Sequence, residues 1–324
     1  MGTNMAKPKK KKVDFRYKSK IFYGLLCALP LLQFVIFYLV VNANSFLMSI
    51  QKFTMTGNPD GTYTKSIKWF VDNFSDWFKK SSQYYSWNTL GNAIGVSLKM
   101  YLISVCTSIP LGLLFSYYIY KKLMGASMFR VFLFMPAIVS SIVMVLIYKF
   151  FVNEALPQYF GDWFKVDMKG LLNGSEAQTF AVIAFYNVFV SFGTTVLMYS
   201  NKMAGISPEI IEAAHIDGAT AIKEFWYVVL PLTFPTISIF IITGIATLFT
   251  NQYNIFSFFN GYGTTPKNLR PLGYVIFDRA QANASVGREE LPPLSALSVM
   301  LTLVAIPLTF GAKFLLEKFG PSED

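Results

Sequence analysis

The sequence predicts an all-α polytopic membrane protein with about six transmembrane helices. Of its 324 residues, 53% are hydrophobic and only 14% are charged, whereas soluble domains carry about 25% charged residues. This deficit is expected for a chain that lies in lipid, because a charge at the centre of a bilayer is costly. A soluble helical protein would need charged faces between its apolar stripes, and the sequence shows none.

Six apolar stretches are long enough to cross a bilayer. A helix rises about 1.5 Å per residue, so a hydrocarbon core of about 30 Å requires about 20 apolar residues. We predict spans at residues 21–41, 93–120, 131–151, 180–200, 234–258 and 294–315.

The distribution of basic residues predicts that both termini face the cytoplasm. Lys and Arg are enriched in cytoplasmic loops, and residues 1–20 hold eight of the 28 Lys and Arg residues. We therefore divide the chain into a basic cytoplasmic N-terminal segment, 1–20, and a transmembrane domain, 21–324. The net charge of +10 could suggest nucleic-acid binding, but basic residues clustered beside a span indicate topology instead. We expect no nucleic-acid partner.

A polar outer loop at 45–92 separates the first two spans. It contains a turn motif, Asn-Pro-Asp-Gly, at 58–61. After this turn, Phe70, Phe74, Trp77 and Phe78 follow a helical spacing, which predicts a short amphipathic helix. Such a helix could lie in the membrane interface as an aromatic anchor or pack in a small external subdomain.

A cytoplasmic loop at 203–232 is too polar to span, yet it carries strong helix punctuation. Ser207 suits an N-cap, and Pro208 suits the first helical position. Gly218 is expected to break this helix, and Thr220 can begin a second one that Pro231 ends. The second helix would bury an apolar face formed by Ile222, Phe225, Trp226, Val229 and Leu230.

Within this loop, E-A-A-H-I-D-G-A at 212–219 is followed by V-V-L-P at 228–231. This pattern resembles the EAA loop of binding-protein-dependent ABC importer permeases. Residues 88–89, 110–114, 130–136 and 294–301 resemble the carbohydrate-uptake subset, akin to the larger maltose-type permease subunit. The Gly-Gly-Pro that this family carries after the fifth span is replaced here by G-Y-G-T-T-P at 261–266.

The resemblance implies a type I ABC importer permease fold in the bacterial cytoplasmic membrane. It also implies four kinds of partner: a second homologous permease subunit, two ATPase subunits, an extracytoplasmic solute-binding protein and a sugar. The loop would form a coupling helix that moves with the ATPases, with Gly218 in a tight corner at positive φ. The residues expected to couple are Glu212, Ala213, Ala214, Asp217, Gly218, Ala219, Leu230 and Pro231.

The sequence predicts a transport subunit and not an enzyme. It contains no G-x-x-x-x-G-K-[ST] motif for phosphate binding, so we expect ATP and Mg²⁺ to bind in the partner ATPases. No catalytic arrangement stands out, and we expect no cofactor in this chain. The single histidine, His215, cannot form a zinc site without further ligands, so we expect it to serve packing or docking.

Polar residues inside apolar spans are candidates for the substrate path. Amides bond hydroxyl groups, and aromatic rings cover the apolar face of a sugar. The same side chains could instead bond neighbouring helices. The candidates are Tyr186, Asn187 and Ser191 in the fourth span, and Asn251, Gln252, Tyr253 and Asn254 in the fifth.

Two alternatives to a sugar importer remain open on the sequence. One keeps the family but changes the cargo to an amino acid, phosphate or polyamine. The other is an autonomous channel or secondary transporter, for which inverted repeats or intramembrane charges would be expected.

Overall fold

The structure is a computed structural model, which describes residues 15–58, 62–79, 87–164, 169–260, 264–285 and 289–321. The described chain is mostly helical, with one hairpin and with π-helical stretches at Phe34–Val40, Phe151–Ala155 and Phe225–Val229. The helices are α1 (Phe15–Gln33), α2 (Val41–Ser49), α3 (Trp87–Tyr120), α4 (Ala126–Ile138), α5 (Ser141–Phe150), α6 (Leu156–Phe164), α7 (Glu176–Ala204), α8 (Pro208–Ile216), α9 (Ala221–Glu224), α10 (Leu230–Ala246), α11 (Ile255–Phe259), α12 (Leu272–Ser285) and α13 (Leu291–Phe319).

Among the described residues, five helical segments are long and apolar enough to cross a membrane. A sixth span is formed if α4 and the helix that follows it are counted together. This agrees with the predicted number of spans. The five are Phe22–Ser49, Asn88–Tyr120, Glu176–Ala204, Ala221–Ala246 and Leu291–Phe319.

The third span is broken, whereas the sequence predicted one continuous helix at 131–151. Its two halves meet at 104°, because Val139 and Ser140 adopt extended ψ angles of 142° and 134°. Serine favours the start of a helix, and the Met144 amide donates to the Ser140 carbonyl as α5 begins. Hydropathy could not reveal this break, because both halves are equally apolar.

The position of the fifth span also differs from the prediction of 234–258. The helical segment runs from Ala221 to Ala246, and residues 247–254 form turns before the short α11. The prediction that Pro231 ends the helix is wrong, because the helical segment continues through it. Pro231 lies inside the continuous segment, directly after the π-helical stretch Phe225–Val229, and such local π-helical adjustments accommodate a proline within a membrane helix.

The outer loop forms a hairpin instead of the predicted amphipathic helix. Strand β1 (Gln51–Gly57) pairs antiparallel with β2 (Tyr63–Trp69), and the Asn58 amide donates to the Thr62 carbonyl beside the predicted turn. Only a 3₁₀ turn, Ser75–Trp77, occurs in the predicted helix.

Side-chain hydrogen bonds explain why the predicted helix does not include its first residues. The Asp72 carboxylate accepts from the amides of Phe74 and Ser75, as a helix N-cap does, so a helical turn begins only after Asp72, and Phe70 lies outside it at a positive φ of 60°. Hydrogen bonds from Ser75, and a further one from the Phe74 amide, keep the pKa of the Asp72 carboxyl below its ordinary value. Trp77 is buried, and its Nε1 donates to the Pro293 carbonyl at 3.1 Å. The loop therefore packs on the start of α13 as a small unit.

Candidate coupling loop and transmembrane cavity

The predicted coupling helix is α8. It begins with Pro208 directly after Ser207 and ends at Ile216. Gly218 follows with a φ of 77°, which confirms the predicted positive φ. No atom lies within 4 Å of the position that a Cβ would occupy. Glycine is therefore required here by the backbone conformation and not by a lack of space.

The motif residues of α8 lie mainly on an open surface. Glu212, Ala213, Asp217 and Gly218 are exposed. Beside them, Ile216 is 86% exposed, which is unusual for a large apolar side chain on a polar loop. The remaining coupling candidates, Ala214, Ala219, Leu230 and Pro231, are half-buried. Small residues between acidic ones thus form a shallow, accessible face.

The apolar residues of the loop divide between this surface and the bundle. Phe225 and Val229 belong to a buried cluster with Tyr199 and Met203, against which Ile211 packs. The predicted apolar face is therefore only partly correct. Ile222 is 72% exposed and Trp226 is 59% exposed.

A buried ion-pair network connects the loop to α3. The side chain of Glu224 is 1% exposed and lies 2.6 Å from the Lys121 ammonium. His215 of α8 approaches the same carboxylate, with Nε2 2.9 Å from Oε2. Sequence reasoning missed this network, because Lys121 and Glu224 are 103 residues apart and neither belongs to a motif. The packing contact of His215 is thus with the Glu224 carboxylate.

A cavity of about 440 Å³ lies between α3, α7 and α10. None of its described lining residues is charged. Two buried hydroxyls in its wall, Ser108 Oγ and Tyr199 OH, have no hydrogen-bond partner among the described residues. A buried polar group without a partner is costly, so a ligand or water that bonds these hydroxyls would be stabilised there. The polar lining residues are Tyr101, Ser104, Ser108, Ser191, Thr194, Thr195, Tyr199, Thr243, Thr247, Asn251 and Tyr253.

Of the predicted substrate-path residues, Ser191, Asn251 and Tyr253 line this cavity. Gln252 lines a different, mostly apolar cavity beside α12 and α13. The Asn187 amide donates to the carbonyls of Ile183 and Tyr253.

The two other candidates make contacts within the bundle. The Asn254 amide donates to the side-chain oxygen of Asn187, and Tyr186 is fully buried in a core cluster. Asn187 and Asn254 therefore bond α7 to the turn before α11, which is closer to the alternative structural role than to a role in the substrate path.

Most of the hydroxyl-bearing residues in the cavity wall were missed. A recognisable pattern exists: Ser104 and Ser108 are four residues apart on α3, as are Thr243 and Thr247 across the end of α10. This spacing places each pair on one helix face. The Thr247 hydroxyl donates to the Thr243 carbonyl, which leaves its oxygen available as an acceptor.

No group of His, Cys, Asp and Glu suited to a metal ion occurs among the residues that the structure describes. The arrangement consists of a polar, uncharged cavity between helices and an exposed helix connected to those helices. Such an arrangement can bind and move a solute.

Comparison with known proteins supports a role in solute transport. The sequence profile described as "Binding-protein-dependent transport system inner membrane component" matches residues 108–322. The multiple sugar-binding transport system permease protein MsmF of Streptococcus mutans is 26% identical over 227 residues, covering 68% of this chain and 76% of that protein. The sn-glycerol-3-phosphate transport system permease protein UgpA of Agrobacterium fabrum is 25% identical over 220 residues, covering 67% and 72%.

Solved structures show the same fold. A crystal structure of a bacterial ABC transporter involved in import of the acidic polysaccharide alginate superposes with a TM-score of 0.71 at 17% identity, covering 94% of this chain and 99% of that one. A second structure of a bacterial alginate ABC transporter, in complex with an alginate pentasaccharide-bound periplasmic protein, gives a TM-score of 0.69 at 14% identity, covering 95% and 98%. Because the family profile covers more than half of the sequence, the chain belongs to the family of inner membrane components of binding-protein-dependent transport systems, as a transport subunit and not an enzyme.

Proposed function

We propose that this chain is the transmembrane permease subunit of an ATP-driven importer for a neutral sugar or oligosaccharide. The observation that carries the proposal is the cavity between α3, α7 and α10. Its wall is rich in hydroxyl groups and lacks charged side chains among its described residues. Hydroxyl and amide groups exchange hydrogen bonds with sugar hydroxyls, and aromatic rings pack against the apolar sugar face.

The energy for transport would come from partner subunits. We infer that one of the importer's two ATPases docks on the exposed face of α8 and its C-cap, formed by Glu212, Ala213, Ile216 and Asp217. ATP and Mg²⁺ would bind in those ATPases. Family membership supports this arrangement, as does the exposure of Ile216, because an apolar side chain on an otherwise polar surface is typical of an interaction site.

A second homologous permease subunit and an extracytoplasmic solute-binding protein would complete the importer in the bacterial cytoplasmic membrane. The most apolar part of the first span is 0% buried within this chain. Its apolar surface must therefore be covered by lipid or by another membrane subunit.

Relatives suggest two kinds of cargo. The name of MsmF refers to sugars, and that of UgpA refers to sn-glycerol 3-phosphate. Cationic side chains bind an anionic phosphate ester most strongly, and the described wall of the cavity contains no Lys or Arg. A neutral sugar is therefore favoured over an anionic solute.

The proposal can be tested by purifying the assembled importer through an affinity tag on this chain, expressed with its own genomic neighbours. The complex is reconstituted into liposomes with its binding protein. Uptake is then measured with radiolabelled neutral mono- and oligosaccharides, glycerol 3-phosphate, phosphate, an amino acid and a polyamine. We expect ATP-dependent uptake of a neutral sugar. ATP-dependent uptake of a charged solute alone would refute the sugar assignment, and uptake without ATPase subunits would refute the importer itself.

A further inference from the structure

Glu224 is the most deeply buried charged side chain in the coupling loop, and it faces groups from two other elements. Lys121, at the end of α3, places its ammonium 2.6 Å from one carboxylate oxygen and 2.7 Å from the other. His215, in α8, lies 2.9 Å from the second oxygen. The side chain of Glu224 is 1% exposed, compared with 25% for Lys121 and 55% for His215.

A second contact from α3 reinforces the first. Tyr117 precedes Lys121 by one helical turn, so both side chains lie on the same face of α3. The Tyr117 hydroxyl donates to the Ala221 carbonyl at 2.9 Å, and its ring packs edge-on against Phe225 at 5.1 Å. The end of α3 therefore holds the beginning and the end of α9.

A connecting loop does not require this arrangement. Burying a carboxylate is costly unless it is paired and hydrogen-bonded, and apolar side chains would attach the loop equally well. The chain itself connects α8 to α7 through residues 205–207 and to α10 through residues 217–229. By contrast, α3 is remote in sequence, so it can follow a movement of α8 only through side-chain contacts.

The helix that this network reaches is one wall of the transmembrane cavity. Tyr101, Ser104 and Ser108 of α3 all line it. We propose that Glu224 is a positioning residue that fixes the coupling helix α8 to the cytoplasmic end of α3 through His215 and Lys121. Displacement of α8 by an ATPase then moves all three helices around the cavity together. This inference rests on the proposed function.

The test measures movement at two places in the assembled importer. Cys27 and Cys106 are first replaced by serine, and a fluorophore is attached to a single new cysteine. One labelled complex carries Leu123→Cys, just beyond α3, and another carries Tyr227→Cys, in the helix that the chain connects to α8. Both native side chains are exposed, by 51% and 80%. Fluorescence is recorded before and after addition of Mg-ATP with vanadate.

We expect Glu224→Gln to lower the ATP-dependent change at position 123 at least about threefold, because a neutral amide holds the Lys121 ammonium much less strongly than a carboxylate does. The change at position 227 should persist, because the chain still connects that site to α8. Glu317→Gln is the matched control. Glu317 pairs with Lys313 at 3.7 Å, but both side chains are more than half exposed, so its loss should alter neither signal.

The split between the two sites separates positioning from a merely structural role. Equal signals in Glu224→Gln and the unmodified complex, or an equal loss at both sites, would overturn the proposal. If Glu224→Gln does not assemble, His215→Gln breaks the half-exposed arm of the network and must show the same split. Failure of any ATPase to copurify would instead refute the proposed function, and this outcome is visible before any fluorescence is measured.

Discussion

Replacing Gly218 by alanine tests whether the corner after α8 is needed for coupling. Gly218 has a φ of 77°, and no atom lies within 4 Å of its absent Cβ. Alanine therefore causes no clash, and the whole penalty arises from the left-handed backbone. That penalty is about 1–2 kcal/mol, which corresponds to about a 5- to 30-fold shift away from the native corner.

Gly125 provides an unusually close control. It also has a positive φ, of 80°, and no atom lies within 4 Å of its Cβ position. Gly125→Ala should therefore carry the same backbone penalty, but at the start of α4, outside the coupling loop.

The assay measures the apparent affinity of the ATPases for detergent-solubilised permease, followed by ATP-dependent uptake in liposomes. We expect Gly218→Ala to weaken ATPase docking by about 5- to 30-fold and to reduce uptake, while membrane insertion remains normal. Gly125→Ala should retain both activities. If the two variants behave alike, whether both fail or both work, the reasoning about Gly218 is refuted.

Three further substitutions test the cavity and the packing of the bundle. Tyr199→Phe removes an unpartnered hydroxyl, so the melting temperature should not fall, while KM for sugar should rise about 2- to 13-fold because the hydroxyl no longer bonds the solute. Tyr227→Phe, at an exposed site, is the control. An unchanged KM in Tyr199→Phe would contradict a contact between Tyr199 and the solute. Gly193→Ala would place a Cβ in van der Waals overlap with the Leu133 carbonyl. Thermal unfolding should therefore show a free energy of unfolding that is lower by about 1–3 kcal/mol or more. Normal stability would exclude this close approach. Trp77→Phe removes the indole N–H that donates to a carbonyl of α13. The free energy of unfolding should fall by about 1 kcal/mol, and the outer loop should become more sensitive to protease. Unchanged proteolysis would indicate that other contacts hold the loop.

Local features of this chain could be predicted because their causes are local. Transmembrane character follows from the composition of each apolar stretch. The start of α8 at Pro208 and the corner at Gly218 follow from residue types that satisfy helix ends and adopt positive φ. These predictions need no knowledge of neighbouring helices, and the structure agrees with them.

Errors arose where one local pattern is compatible with several structures. The aromatic spacing at 70–78 suits a helix, but Asp72 accepts from the amides of Phe74 and Ser75 as an N-cap does, so no helix includes Phe70. The apolar run at 131–151 suits a straight span, but the chain turns sharply after Val139. Pro231 suggested an end to a helix that continues through a π-helical stretch. Each outcome depends on hydrogen bonds that residue type alone does not specify.

The sequence by itself determined that this chain crosses the membrane repeatedly and carries, in a polar loop between spans, a short helix followed by a glycine corner. Only the tertiary structure decided which polar residues meet: the hydroxyls around the cavity and the Lys121–Glu224 pair, whose members are 103 residues apart. The physical reason lies in the solvent. Lipid and a protein interior are both apolar, so hydropathy predicts that a residue lies in the membrane but cannot distinguish a side chain that faces lipid from one that faces another helix.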